Sequence, residues 1–412
     1  MWYAGIDWAD QHHDVAVIDD LGNKMATRRV NHSAEGLDEL KAFLFGITAH
    51  ADAAEKAVHP EQIACIVETS CGLLIAALLE AGFAVYPVNP KTLDRRRTAA
   101  GAKTDAIDAY LLAKKGRSDF HDLRRLAPDS PLVQDLKALT RDQDLLVHEQ
   151  TRLVNRLTAC LKAYYPVALQ VFTKLQQPLT LAFLRRYPTL ASAQAASVDE
   201  LAAFLRQQYP SYPGPARAAQ KIWETLHKPQ LRADAITTRT KARLMLVLVG
   251  QLEPLLGQIA AYDADIQRLF REHPDSDLFL GLPGAGKRLA PRLLAEWGDD
   301  RERYAQAQNV QALAGTCPVP FQSGNYAHAR KRKACIKPFR NVLHLFAMES
   351  VQKEEWAAAY YRQKRQQGKS HSVATRALAN VWVRILFAAW SRHTRYEPAI
   401  FLAARESHAR VA

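Results

Sequence analysis

The chain has 412 residues, 48% of them hydrophobic, which suits two or three domains at about 100–200 residues each and excludes a disordered polypeptide. Lys and Arg number 55 against 42 Asp and Glu, so the net charge is +13 with a pI near 9.5; this favours an anionic partner, nucleic acid before an acidic membrane surface. The five cysteines (Cys65, Cys71, Cys160, Cys317 and Cys335) have neither Cys-x-x-Cys nor zinc spacing. They are read as thiols in a reducing compartment. No signal segment is predicted, and apolar stretches such as Val381–Trp390 are too short to span a bilayer. The expected location is the cytoplasm, with no membrane partner.

Residues 1–125 alternate between strand and helix signals. Strands are predicted at Ala4–Ile6, Asp14–Ile18 and Lys24–Val30, with Asp19–Asn23 as the hairpin turn between the last two. A helix follows at Leu37–Ala49, then a short apolar strand at Ile63–Val67 that ends on Glu68. Cys71–Ala81 reads as a helix closed by Gly82, and Phe83–Val88 as a strand stopped by Asn89-Pro90. Ala102–Lys115 has helical apolar spacing. This order predicts an α/β domain on a mixed sheet, the order of an RNase H-like fold.

Residues 126–274 are predicted to be helical and elongated. Leu132, Leu136, Leu139, Leu146, Leu153, Leu157, Cys160 and Tyr164 fit a heptad pattern, with Gln143 and Gln150 at two of its inner positions. A second pattern runs Leu248, Leu252, Leu255, Ile259, Tyr262, Ile266, Leu269, and Pro254 is expected to kink it. The two suit an antiparallel coiled coil, within one chain or as a dimerisation element. Between them, residues 171–230 form a small helical insertion. Residues 275–412 are predicted to be mostly helical, with a glycine-rich turn at Leu282–Gly286 ahead of a helix at Arg288–Trp297.

Four carboxylates stand out. Asp7 ends an apolar strand, Glu68 ends another, and Asp105 and Asp108 are three apart at the start of a helix, nearly on one face. Four such groups meeting at one point repel unless a cation lies between them. Hard cations with oxygen ligands, Mg²⁺ or Mn²⁺, are the usual solution where phosphate is the substrate. Taken apart, Asp105 and Asp108 have an alternative, less favoured explanation in the helix N-terminal dipole. Asp10, Asp14, Asp19 and Glu80 lie close by in sequence; Asp10 is read as a solvated or supporting residue.

Gly5-Ile-Asp7, Ile66-Val-Glu68-Thr-Ser and Lys103-Thr-Asp105-Ala-Ile-Asp108-Ala-Tyr-Leu-Leu-Ala are similar to the motifs of the DEDD transposases of the insertion-sequence-110 family. The second half adds Leu282-Pro-Gly-Ala-Gly286, which is helix-hairpin-helix-like, and Leu313-Ala-Gly-Thr-Cys-Pro-Val-Pro-Phe-Gln-Ser323-Gly324. The resemblance covers nearly the full length apart from the 171–230 insertion. It implies a RuvC-like domain of RNase H fold at 1–125, a coiled-coil region at 126–274, and a C-terminal transposase domain at 275–412. It further implies a recombinase that moves its own element and takes DNA, both element ends and target, as partner. A structured bridge RNA would direct it, and it would act as a homo-oligomer, dimer or tetramer. Asp7, Glu68, Asp105 and Asp108 would hold the metal, and Ser323, in a predicted loop, would attack the scissile phosphate. A basic run, Arg330–Lys333, departs here from the family's Gly-Asn-rich segment.

Nucleic-acid contacts are expected from several positions. Gly284, Gly286 and Lys287 would offer backbone N–H groups and charge to a phosphate at a helix start. Arg95, Arg96, Arg97 and Lys103 precede the carboxylate helix, and Arg330, Lys331, Arg332 and Lys333 follow Ser323. Two other readings compete. One is a RuvC-like Holliday-junction resolvase or nuclease that uses the same carboxylates with water as nucleophile. The other is a non-catalytic nucleic-acid scaffold.

Overall fold

The computed structural model describes residues 1–51, 59–70, 72–88, 104–211, 214–324 and 326–403. The chain divides into two compact units, Met1–Pro128 and Asp129–Ala412.

The first unit is built on a five-stranded mixed sheet. Its strands are β1 (Trp2–Trp8), β2 (His12–Ile18), β3 (Lys24–Asn31), β4 (Ile63–Val67) and β5 (Ala84–Pro87), in the spatial order β3-β2-β1-β4-β5. β1, β2 and β3 pair antiparallel, while β4 runs parallel to β1 and β5 parallel to β4. Helices α1 (Ala34–Ala51), α2 (Leu73–Glu80) and α3 (Asp105–Ser118) complete the unit. The hairpin turn forms as its residues predict: Gly22 takes φ +91°, and the Asp19 carboxylate accepts from the Asn23 backbone N–H at 2.7 Å. Gly82 closes α2 at φ +85°, its N–H bonded to the Leu79 carbonyl and that of Phe83 to Leu78.

Alternation along the strands divides the core into two layers. Ala4, Ile6, Val15, Val17, Cys65 and Val67 pack with Leu40, Leu44, Leu74 and Leu78 of α1 and α2. Tyr3, Ala64 and Ile66 face the other way, onto Leu112 and Ala113 of α3. That second layer is thin because small residues line it. A Cβ on Gly5 would stand 2.0 Å from the Ala109 carbonyl oxygen and 2.4 Å from the Ala113 nitrogen, and one on Gly116 would stand 2.4 Å from Ile66.

Among its described residues, the regular structure of the second unit is helical but for one hairpin. Its elements are α4 (Pro131–Tyr164), α5 (Ala168–Val171), α6 (Pro178–Arg186), α7 (Leu190–Gln194), α8 (Val198–Gln208), α9 (Pro215–His227), α10 (Ala235–Glu272), α11 (Ser276–Leu280), α12 (Gly286–Trp297), α13 (Ala307–Leu313), β6 (Val319–Ser323), β7 (Tyr326–Arg330), α14 (Lys337–Ser350), α15 (Glu355–Gln366) and α16 (His371–Ser391). α4 and α10 run antiparallel. Gln143 of α4 bonds to Asp263 and to the Ile259 carbonyl near one end, and Cys160 Sγ approaches the Lys241 carbonyl near the other. Gln143, at an inner heptad position, is buried, and its oxygen accepts from Arg292 of α12 at 2.8 Å. Arg141 adds a two-pronged bond to the buried Glu296, at 2.7 and 2.9 Å. Two helices, α10 and α16, are long and apolar enough by composition to cross a membrane. In α16 the apolar residues Leu378, Trp382, Leu386 and Trp390 are packed in the unit's core.

The sequence expectation missed the hairpin. Ser323 was expected in a loop; it is instead the last residue of β6, paired with Tyr326 of β7. Pro320 lies inside β6, which belongs to a two-stranded ribbon, where a strand edge without a donor is tolerated.

The contact of Gly5 with α3 gives a direct test. Gly5→Ala should destabilise the first unit by about 3 kcal/mol, because no flexible side chain is there to yield. Urea denaturation followed by circular dichroism measures it, and an unchanged midpoint would contradict the close approach.

Candidate active site

The sheet register assembles the acidic site. Tyr3, Gly5 and Asp7 alternate onto the α3 face of β1. Parallel pairing sets Ile6 opposite Val67, so the next residues along, Asp7 and Glu68, leave adjacent strands side by side. Antiparallel pairing sets Asp7 opposite Asp14. α3 crosses the same face, and its first turn carries Asp105 and Asp108. Thr104 starts that helix by accepting from the Ile107 N–H at 3.3 Å.

The four predicted carboxylates therefore come together. Asp7 is partly buried. Burial first, then the charges of Asp108, Glu68, Asp105 and Asp14, raise its carboxyl to about 6. Like charges act on Asp7 from both neighbouring strands and from α3, which is the electrostatic mark of a place suited to a cation. The donor set is oxygen-rich, as Mg²⁺ and Mn²⁺ require.

A second set of ligand atoms lies against the first. Among the described residues, His12, Asp14 and Asp105 have ligand atoms all within 4.8 Å of one another. His12 Nε2 is 3.6 Å from Asp105 and 3.9 Å from Asp14. Asp14 is already engaged, since the Arg29 guanidinium donates to both its oxygens at 3.1 and 2.7 Å. A carboxylate so held has less of its charge free for a cation. Behind the sheet His13 is fully buried, 2.9 Å from His32, and burial together with His32 and His12 lowers its pKa to about 4. His12, Asp14 and Arg29 were not read as site residues from sequence. The pairing across the Ala9–Gln11 connection was the signal for them, because it puts Asp14 beside Asp7. Asp10 lies exposed in that connection.

The other predicted residues are distributed as follows. Ser323 is exposed at the end of β6, followed by Gly324 at φ +56°. Arg330 stacks on Phe321 at 4.1 Å and donates to His328 at 2.7 Å, and Lys331, Arg332 and Lys333 continue from the strand. Gly284, at φ +85°, backs onto Glu349 of α14, where a Cβ would stand 2.9 Å from the backbone. Gly286 is the first residue of α12 with open space around it, and Lys287 beside it is exposed. Arg95, Arg96, Arg97 and Lys103 lie outside the described residues, as do Cys71 and the Asn89-Pro90 turn.

Two sequence profiles match the chain. The DEDD transposase profile of IS110 type covers residues 4–166, all but the first two residues of the five-stranded sheet, and α4. The profile described as transposase of the IS116/IS110/IS902 family covers residues 276–362, including the Gly284 turn and Ser323. The mini-circle putative transposase for IS117 of Streptomyces coelicolor is 33% identical over 396 residues, 92% of this chain and 91% of its own length. The chain belongs to the IS110 family of transposases. The IS900 uncharacterized 42 kDa protein of Mycobacterium paratuberculosis is 28% identical over 98% of each chain. The putative transposase y4uE of Sinorhizobium fredii is 37% identical over 41% of this chain and 46% of its own. Neither family profile covers residues 167–275, the stretch from α5 to α10.

The crowding at Asp7 has a measurable consequence for this transposase without metal. A carboxyl raised to about 6 from 3.8 favours the folded state most below about 4, and that contribution is lost as pH rises through 6. Asp7→Asn, which has no charge to repel, should therefore raise the Tm of the metal-free protein at pH 7.5 by roughly 2–4 °C. The gain should shrink toward pH 4. Calorimetry at the two pH values checks this, and a loss of stability at pH 7.5 would contradict it.

Proposed function

We propose that this transposase cleaves and rejoins DNA strands with a divalent cation, Mg²⁺ or Mn²⁺, held by Asp7, Glu68, Asp105 and Asp108. The observation that carries the reading is the sheet register that sets Asp7 beside Glu68 under the first turn of α3. The strand order β3-β2-β1-β4-β5 with antiparallel and parallel halves supports an RNase H-like, RuvC-like catalytic domain. When bound, the cation supplies stabilisation of charge on the attacking and leaving oxygens of a phosphodiester. Without a cation, burial and then the neighbouring charges raise the Asp7 carboxyl to about 6, which a bound cation would offset.

Ser323 supplies the nucleophile. Its hydroxyl oxygen attacks the scissile phosphorus, the bond to the leaving deoxyribose oxygen breaks, the serine's proton is lost and the leaving oxygen gains one through solvent, and a phosphoserine ester retains the energy of the backbone bond for rejoining. Exposure at a strand end beside a left-handed glycine supports this role, because a hydroxyl there can reach a strand of DNA. The basic residues Arg330–Lys333 after it, and Gly286 and Lys287 at the start of α12, neutralise and position backbone phosphates. Arg95, Arg96, Arg97 and Lys103 join them on their charge alone. Choice of sequence falls to a bridge RNA that pairs with element and target, and the protein works as a homo-oligomer. These last two points rest on family resemblance.

Ser323→Ala separates this reading from a hydrolase, and Asp105→Asn separates it from a non-catalytic scaffold. With Mg²⁺, element-end DNA and its guide RNA, Asp105→Asn should lose all cleavage, a fall of about 10³-fold or more. Ser323→Ala should lose strand exchange together with any covalent protein–DNA adduct on a denaturing gel. Continued cutting by Ser323→Ala would show that water is the nucleophile.

A further inference from the structure

Charge is unevenly spread over the last part of the chain. Residues 303–348 contain no Asp or Glu, and neither do residues 356–396. The second unit folds these two stretches together by packing α14 against α16. Arg340 and His344, four apart on α14, share one face. α16 brings Arg376 near enough for its charge to act on His344 and Arg340, and the charge of Lys331, in the segment after β7, also acts on His344. Arg340 also donates to Cys335 Sγ at 3.4 Å.

Among the described residues, no acidic side chain acts on His344 or Arg376. The ion pairs of this region, among the described residues, use Arg303, His393 and Arg395 and not Arg332, Arg340 or Arg376. The nitrogens Arg332 Nε, His344 Nε2 and Arg376 Nε are shielded from solvent with no hydrogen-bond partner. Burial, then Arg376, Arg340 and Lys331, depress His344 to about 4, so its ring is neutral at neutral pH. Shielded donors without acceptors cost stability, and cations held together without an anion repel. A group with several acceptor oxygens and negative charge relieves both, and guanidinium forks match phosphate oxygens.

We propose that Arg340, His344 and Arg376, with Lys331 and Arg332, form a seat for one backbone phosphate of a bound nucleic-acid strand. The inference rests on the reading of this chain as a nucleic-acid enzyme. Continuity favours a polymer over a free ion, since exposed Lys331, Lys333 and Lys337 extend the charge from the cluster along the surface. The seat adjoins the base of the β6–β7 hairpin, where Arg330 pairs with Val319. Ser323 ends the same strand, roughly 13 Å away at the usual rise per residue. The seated phosphate is therefore not the one attacked; it anchors the strand at a distance from the reacting bond.

Two measurements test the seat, both on the full chain. Arg340→Gln/Arg376→Gln should weaken binding of a mixed-sequence DNA duplex by about 10-fold at 0.1 M salt. It should also reduce the slope of log K against log salt by about one, in fluorescence anisotropy. In case the double variant folds poorly, inorganic phosphate is titrated into the native protein carrying ¹³C-histidine. The His344 ring signal, assigned by its loss in His344→Asn, should shift and its pKa should rise. A His344 signal indifferent to phosphate overturns the seat. A phosphate response with unchanged duplex affinity and slope in the folded variant overturns nucleic acid as its occupant. Neither readout needs strand exchange, so an inactive native protein would count against the recombinase reading and leave this inference standing.

Discussion

The acidic site depends on one constraint: how closely α3 can lie on β1. A helix normally stands about 10 Å from a sheet because side chains fill the gap. Here Gly5 removes the side chain on the strand, and Ala109 and Ala113 keep the helix surface low. The first turn of α3 is thereby brought down onto the ends of β1 and β4. Parallel pairing of those strands does the rest, since it sends Asp7 and Glu68 out on the same side. Any bulk at residue 5 lifts Asp105 and Asp108 away from Asp7. Local geometry, not the number of acidic residues, brings these carboxylates near one another.

The second unit is held by different means. α4 and α10 pair along an apolar seam with Leu153, Leu157, Met245, Leu248 and Leu252 buried. Near its other end the seam is polar: Gln143 bonds to Asp263 and Arg292, while Arg292 pairs with Asp144 at 2.6 Å. Such a network fixes one register between three helices, because a slip would strand buried polar groups. It ties the long antiparallel pair to α12, the helix that begins at Gly286. The charge asymmetry beyond residue 303 then sits on a firmly packed body, with Trp297, Trp382 and Trp390 fully buried beneath it.

Much of this was legible in the sequence. The apolar run Ile63–Val67 ended at Glu68 as its composition predicts, and all five strands and three helices of the first unit are present where alternation and turn residues placed them. The carboxylates were legible because their motif spacing is distinctive. Three things were not. The β6–β7 hairpin is short, polar and contains proline, so neither periodicity nor propensity marks it. His12, Asp14 and Arg29 enter the site only through strand register, which pairs residues that no motif links. The cluster of Arg340, His344 and Arg376 needs two helices distant in sequence to pack together. In each case the missing information is a long-range pairing, which a linear reading does not contain.

Where a cation binds is the central question, because two ligand sets share Asp105. Anomalous diffraction from crystals soaked in Mn²⁺ answers it directly. The account predicts a peak enclosed by Asp7, Glu68, Asp105 and Asp108, within about 2.0–2.2 Å of their oxygens, with Asp14 still bonded to Arg29. A peak seated on His12 and Asp14 instead, with Asp7 and Glu68 unligated, would contradict it.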